Sequence, residues 1–113
     1  MTLLIILFIL SGVFFTALGV PMLRGLIPPN SFYGFRTPAT ITDPALWYPA
    51  NRYAGRRMIE AGIVLALAST ALAFAPGLSE DEYALAVTTV LLAALAVVVV
   101  RSLRYLKRIR MSR

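Results

Sequence analysis

The chain has 113 residues, a mean hydropathy of +0.80, 59% hydrophobic residues and only 14% charged ones. Soluble domains carry about a quarter charged residues, and a single domain of this size has too little interior to hide so much apolar surface, so a water-soluble globule is set aside. The net charge is +6 with neither cysteine nor histidine, which removes disulfides, thiol nucleophiles, zinc fingers and histidine acid–base chemistry together.

Three apolar blocks organise the chain, Leu3–Val20, Ala61–Leu78 and Tyr83–Val100, each 18 residues long and free of charge. As helices, each covers about 27 Å, close to the hydrocarbon thickness of a bilayer. None shows the alternation of a barrel strand. The expected fold is an all-α membrane protein with three transmembrane helices, forming a single domain over residues 1–113. A cleaved signal peptide is the rival for the first block, but such a segment has a basic start and a shorter apolar run. Only Met1-Thr2 precedes this one, so a retained span is expected.

Between the first two blocks lies a loop, Pro21–Arg57, with five arginines: Arg24, Arg36, Arg52, Arg56 and Arg57. After the third comes a tail, Arg101–Arg113, with six basic residues. The N-terminus and the short loop Ser79–Glu82 have none. Three crossings put the long loop and the tail on one side. The positive-inside rule then places both in the cytoplasm and the N-terminus outside. The charge is thereby explained without nucleic acid.

Small residues recur at helical spacing within each block: Gly12, Thr16 and Gly19; Gly62, Ala66, Thr70 and Ala73; Thr89, Ala93 and Ala96. Such stripes let helices approach closely in lipid, either within the bundle or against a second copy. Glu60, at the cytoplasmic end of the second block, is spaced to pair with Arg56 or Arg57. Ser79 and Glu82 have the spacing of a capping box at the start of the third helix, with Glu80, Asp81 and Glu82 at its positive dipole end.

The long loop is dense in aromatics: Phe32, Tyr33, Phe35, Trp47, Tyr48 and Tyr53. That composition argues against disorder and suits a segment resting at the headgroup level. Pro28-Pro29-Asn30 reads as a turn or an extended start. The stretch Tyr33–Pro38 reads as extended, because the residue before proline avoids the α region. Asp43 is placed as an N-cap, with Pro44 at the first helical position. The helix that follows, to about Arg57, sets Trp47, Asn51 and Gly55 on one face, with Pro49 expected to kink or split it and Gly55 to mark a bend. Gly34 suits a backbone geometry that a side chain would block. Arg36 and Arg52 suit forked contacts to phosphate or an acidic partner, and Asn51 a bond to the extended segment around Arg36. In the tail, Leu103, Leu106 and Ile109 form an apolar strip among basic residues, suited to anionic inner-leaflet lipid.

The ordered set Tyr33-Gly34-Phe35-Arg36-Thr37-Pro38-Ala39-Thr40, then Asp43-Pro44-Ala45-Leu46-Trp47, then Asn51-Arg52-Tyr53-Ala54-Gly55 before a hydrophobic helix resembles the signature of the SdpI immunity-protein family. It covers about Pro28 to Gly55. The positions that carry it are Gly34, Arg36, Thr37, Pro38, Trp47, Asn51, Arg52 and Gly55. The resemblance implies a non-enzymatic bacterial membrane protein. It would protect against a membrane-active peptide toxin or hold a cytoplasmic repressor at the membrane. The chain reads as a short, three-span member with the signature-bearing half of the longer namesake, so it either pairs with a second copy or differs in function. The alternative reading is a small oligomeric transporter or exporter, for which Glu60→Gln is the discriminating change. An enzyme lacks parts, since the cytoplasmic side offers only Asp43 and Glu60 as acids. No cofactor or metal is expected.

Overall fold

The computed structural model describes residues 1–112; Arg113, the last basic residue of the tail, lies outside the described residues. Four helices follow in chain order, α1 Thr2–Leu23, α2 Pro38–Thr42, α3 Pro44–Ala73 and α4 Glu80–Met111, with no strand among the described residues. The molecule is elongated, 54 × 23 × 18 Å. Its long helices run up, down and up again, with α3 packed between α1 and α4.

The first apolar block forms a helix longer than its uncharged core, because Pro21 lies near enough to the end to cost only the bond to Ala17. Gly25 then closes α1 in a left-handed conformation (φ +69°). Its N–H donates to Met22 and that of Leu26 to Pro21, the paired bonds of a Schellman motif.

α1 and α3 cross antiparallel on two glycine pairs. A Cβ placed on Gly19 would lie 2.5 Å from the Gly55 carbonyl oxygen, and one on Gly12 2.6 Å from that of Gly62. On each helix the two glycines stand two turns apart, so the close approach repeats along the crossing. Gly62 and Ala66 of the second stripe serve this contact, whereas Thr70 is exposed. Thr89, Ala93 and Ala96 of α4 face outward, contrary to a role in packing the bundle. α4 docks instead through bulkier side chains. Tyr83, fully buried, donates its hydroxyl to the Ser69 carbonyl at 2.9 Å and meets Phe8 edge-on at 6.1 Å. Leu65, Val87 and Leu72 complete that cluster.

Two expected features of α3 are corrected. The helix is continuous from Pro44 to Ala73, not split at Pro49 and not interrupted at Gly55. Pro49 removes one donor, while Leu46, Trp47, Ala50, Asn51 and Ala54 all bury on either side of it and keep the helix intact. Gly55 serves the contact with Gly19. At its far end α3 stops at Ala73, short of the expected Leu78. Pro76 disfavours helix in the residue before it, and Gly77 turns left-handed (φ +76°).

The start of α4 is capped as its spacing predicts, Ser79 Oγ accepting from the Glu82 N–H at 3.1 Å. The Glu82 carboxylate accepts from the same hydroxyl instead of reaching back to the backbone. The tail continues α4 without a break to Met111, and its apolar strip divides, with Leu103 exposed and the other two members packed on protein. Leu106 is buried against Leu46 and Ala50, with Ile109, Phe35 and Ala39 around them. The physical reason is that α3 extends far enough beyond α1 to offer the tail an apolar partner.

α1 and α4 are each long and apolar enough to cross a membrane. The apolar part of α3, Ala61–Ala73, is shorter than an ordinary span of roughly 17–25 residues and follows Arg56, Arg57 and Glu60. Large apolar side chains stand exposed on all three: Leu3, Leu10 and Phe14 on α1, Ile63 and Leu67 on α3, Leu85 and Leu92 on α4.

Candidate functional site

The segment from Leu26 to Asp43 folds onto the N-terminal half of α3 and the C-terminal half of α4, each piece by a recognisable local rule. Asn30 organises the first turn. Its Oδ1 accepts from the N–H groups of Phe32 and Tyr33 at 2.8 and 2.7 Å, and its Nδ2 donates to the carbonyls of Pro28 and Tyr33. The Tyr33 hydroxyl donates to the Leu18 carbonyl and ties the turn to α1. Burial pushes its phenol above the ordinary tyrosine value, so it remains a donor through the neutral range.

Asn51 joins the segment to α3. Its Oδ1 accepts from the Phe35 N–H at 2.6 Å, while its Nδ2 donates to the Phe35 carbonyl at 3.2 Å and the Trp47 carbonyl at 3.0 Å. A buried amide thus answers both backbone groups of one residue, as a neighbouring strand would. Gly34 (φ +113°) makes room for it, since a Cβ there would lie 2.6 Å from Asn51 Oδ1 and 3.3 Å from the Trp47 ring. Trp47 is fully buried and donates Nε1–H to the Ile27 carbonyl at 2.7 Å.

Thr37 starts α2 with extended backbone (φ −127°, ψ 164°) and Pro38 occupies its first helical position. Thr37 Oγ1 accepts from the Thr40 N–H at 3.1 Å, and Thr40 Oγ1 accepts from the Thr37 N–H at 2.8 Å. This is a capping box made by two threonines. Asp43 caps α3 through Ala45, as expected.

The eight signature positions therefore divide in two. Gly34, Thr37, Pro38, Trp47, Asn51 and Gly55 build the scaffold. Trp47 in particular is no headgroup anchor, because the protein encloses it. The two arginines remain at the surface. Arg36 donates to the Ser31 carbonyl, and the Arg52 guanidinium lies beside Gly25, where a Cβ would approach it to 2.8 Å. Phe32 is 90% exposed on the same segment as Arg36. Sequence reasoning missed Asn30 and Thr40. The Thr-Pro pair at 37–38 repeats the Asp-Pro pair at 43–44 and was the available sign of a second helix start. Asn30 offers no spacing signal of its own.

The apolar exterior and the hydrogen-bonded segment folded beneath it define a helical membrane protein with an ordered connecting loop. The chain belongs to the SdpI/YfhL protein family, whose match spans residues 26–103 and takes in all eight signature positions. It is similar to the uncharacterized protein YfhL of Bacillus subtilis (strain 168), at 48% identity over 44 residues, covering 36% of this chain and 40% of that relative. No solved structure matches it.

Proposed function

We propose that the chain is a non-enzymatic membrane protein with three crossings, its N-terminus outside and its loop and tail in the cytoplasm. Its loop surface binds a partner, either to protect against a membrane-active peptide or to hold a regulator at the membrane. Family membership supports the class. The up-down-up course supports the orientation, because it gathers the loop arginines and those of the α4 tail at one end and Glu80, Asp81 and Glu82 at the other. The glycine contacts set Gly62 level with Gly12, so exposed Ile63 and Leu67 fall in the apolar band of α1. That favours α3 as the third crossing.

The observation that carries the binding reading is that a densely bonded scaffold presents Phe32 and Arg36 to the outside. Aromatic and arginine side chains dominate the energetics of protein interfaces. A transporter has less support, since Glu60 is held by Arg57 at 2.9 Å at the end of α3's apolar stretch.

Two experiments test this. Ile41, exposed on α2, when replaced by cysteine should react with an impermeant maleimide only from the cytoplasmic side; labelling from outside refutes the orientation. Phe32→Ala and Arg36→Ala should each lower protection against a membrane-active peptide, or recruitment of a regulator, by roughly thirtyfold, the scale of an interface hot spot. Insertion and thermal stability should stay as in the parent chain. Full activity of both variants at equal expression refutes the binding surface.

A further inference from the structure

On the flank of the molecule opposite α1, an apolar groove of about 360 Å³ runs between α3 and α4. That volume falls within the roughly 300–1,000 Å³ usual for small-molecule sites. Val64, Val90, Ala93 and Val97 wall it, and Arg57 and Glu60 close its inner end. The wall residues of each helix recur at three- and four-residue spacing, so two stripes face each other along the antiparallel pair. Ala93 leaves the space that a larger side chain would fill.

The closed end is built rather than incidental. Arg57 Nη2 bonds Glu60 Oε1 at 2.9 Å. The Tyr53 ring supports the guanidinium at 5.1 Å and is itself stacked on Tyr105 at 4.3 Å with an interplanar angle of 3°. Arg57 Nε is buried with no hydrogen-bond partner among the described residues, although a buried charged donor is costly to leave idle.

From this arrangement we propose that the groove holds one phospholipid with a zwitterionic amine-bearing headgroup, phosphatidylethanolamine. One acyl chain lies along the valines and Ala93. The phosphate accepts from the exposed edge of the Arg57 guanidinium, whose side chain is 17% exposed, and the ammonium lies against the Glu60 carboxylate. The charge pattern selects this class. A purely anionic lipid would set its phosphate beside Glu60 with nothing to offset the repulsion, and a cationic amphiphile would meet Arg57 in the same way. A headgroup carrying both signs, joined by a two-carbon bridge, matches a cation and an anion already in contact. The inference rests on α3 being a membrane crossing, which turns the groove toward lipid.

The test takes the full chain from membranes of equal parts phosphatidylethanolamine and phosphatidylglycerol into a mild detergent and counts retained lipid by native mass spectrometry. Phosphatidylethanolamine should be retained over phosphatidylglycerol by roughly fivefold, about what one ion pair contributes. Glu60→Gln should abolish or reverse that preference while retaining lipid. Arg57→Gln should lose the lipid. Ala93→Phe, which fills the groove at an exposed position and touches neither charge, should lose it too. Equal retention of the two lipids, preference for phosphatidylglycerol, absence of retained lipid, or an Ala93→Phe variant that binds like the parent would each overturn the proposal. A cysteine at Val64 separates the two levels of the argument. Inert to aqueous maleimide in the membrane, it leaves the crossing intact whatever the lipid result; labelled, it removes the crossing and the lipid site together.

Discussion

Gly55→Ala is expected to lower the stability of the detergent-solubilised chain by more than about 2 kcal/mol, read as a drop in the midpoint of thermal unfolding. Two effects oppose each other. Within a helix alanine is favoured over glycine by roughly 1 kcal/mol, so an unobstructed site would gain. Here the added methyl would stand 2.7 Å from the Gly19 carbonyl oxygen, the Leu23 nitrogen and the Met22 Cβ. Two of these are backbone atoms that no rotamer change can move, so α1 must shift off α3, and overpacking of that kind costs about 1–3 kcal/mol or more. The clash wins. Ala96→Val, on the exposed face of α4, is the control and should change stability by less than about 0.5 kcal/mol. A Gly55→Ala chain that melts with this control, or above the parent, would show that the helices do not meet as described.

Asn51→Leu should cost about 2 kcal/mol, but locally. The replacement is similar in size and keeps the helix, yet leaves the Phe35 N–H without its partner at 2.6 Å and its carbonyl with only the Thr40 hydroxyl at 3.2 Å. Each buried group left unsatisfied costs roughly 1–3 kcal/mol. Because the α1–α3 contact is untouched, the chain should remain inserted and helical. The segment from Leu26 to Asp43 should come free, with faster amide exchange at Phe35 and faster tryptic cleavage after Arg36. Asn51→Asp keeps the acceptor and loses the donors, so its exchange rate should fall between. Unchanged exchange at Phe35 in Asn51→Leu would mean that the segment is held elsewhere.

These two sites show what was readable in the residues and what was not. Asp43-Pro44 is a local signal, and the helix begins there as expected. The shared face of Trp47, Asn51 and Gly55 follows from helical spacing, whereas the bond from Asn51 toward the stretch containing Arg36 was a role suited to a buried amide that the structure supplies at Phe35. The split allowed for at Pro49 does not occur, because a proline's local cost says nothing of the burial on either side that outweighs it. The same limit applies to the tail, whose apolar strip is equally compatible with lipid or protein. Only the position of Leu46 and Ala50 across from Leu106 decides between them. Likewise the glycine stripe of α1 declared a close contact without naming Gly55 as its mate, and the stripe on α4 is not used to pack the bundle. Thr40 was invisible for a different reason: threonine replaces the usual acidic or amide partner of a capping box.

The docking of Leu106 and Ile109 on Leu46 has a consequence for the order of assembly. The platform on α3 is translated roughly 60 residues before the side chains that cover it, an interval of several seconds at ordinary elongation rates of about 5–20 residues per second. During that time the signature segment has its own bonds to Asn51 and Trp47 but no roof. The end of the molecule that carries the signature segment is thus the last region of the protein to mature, and a nascent chain arrested before Leu106 would display an apolar patch that the finished molecule conceals.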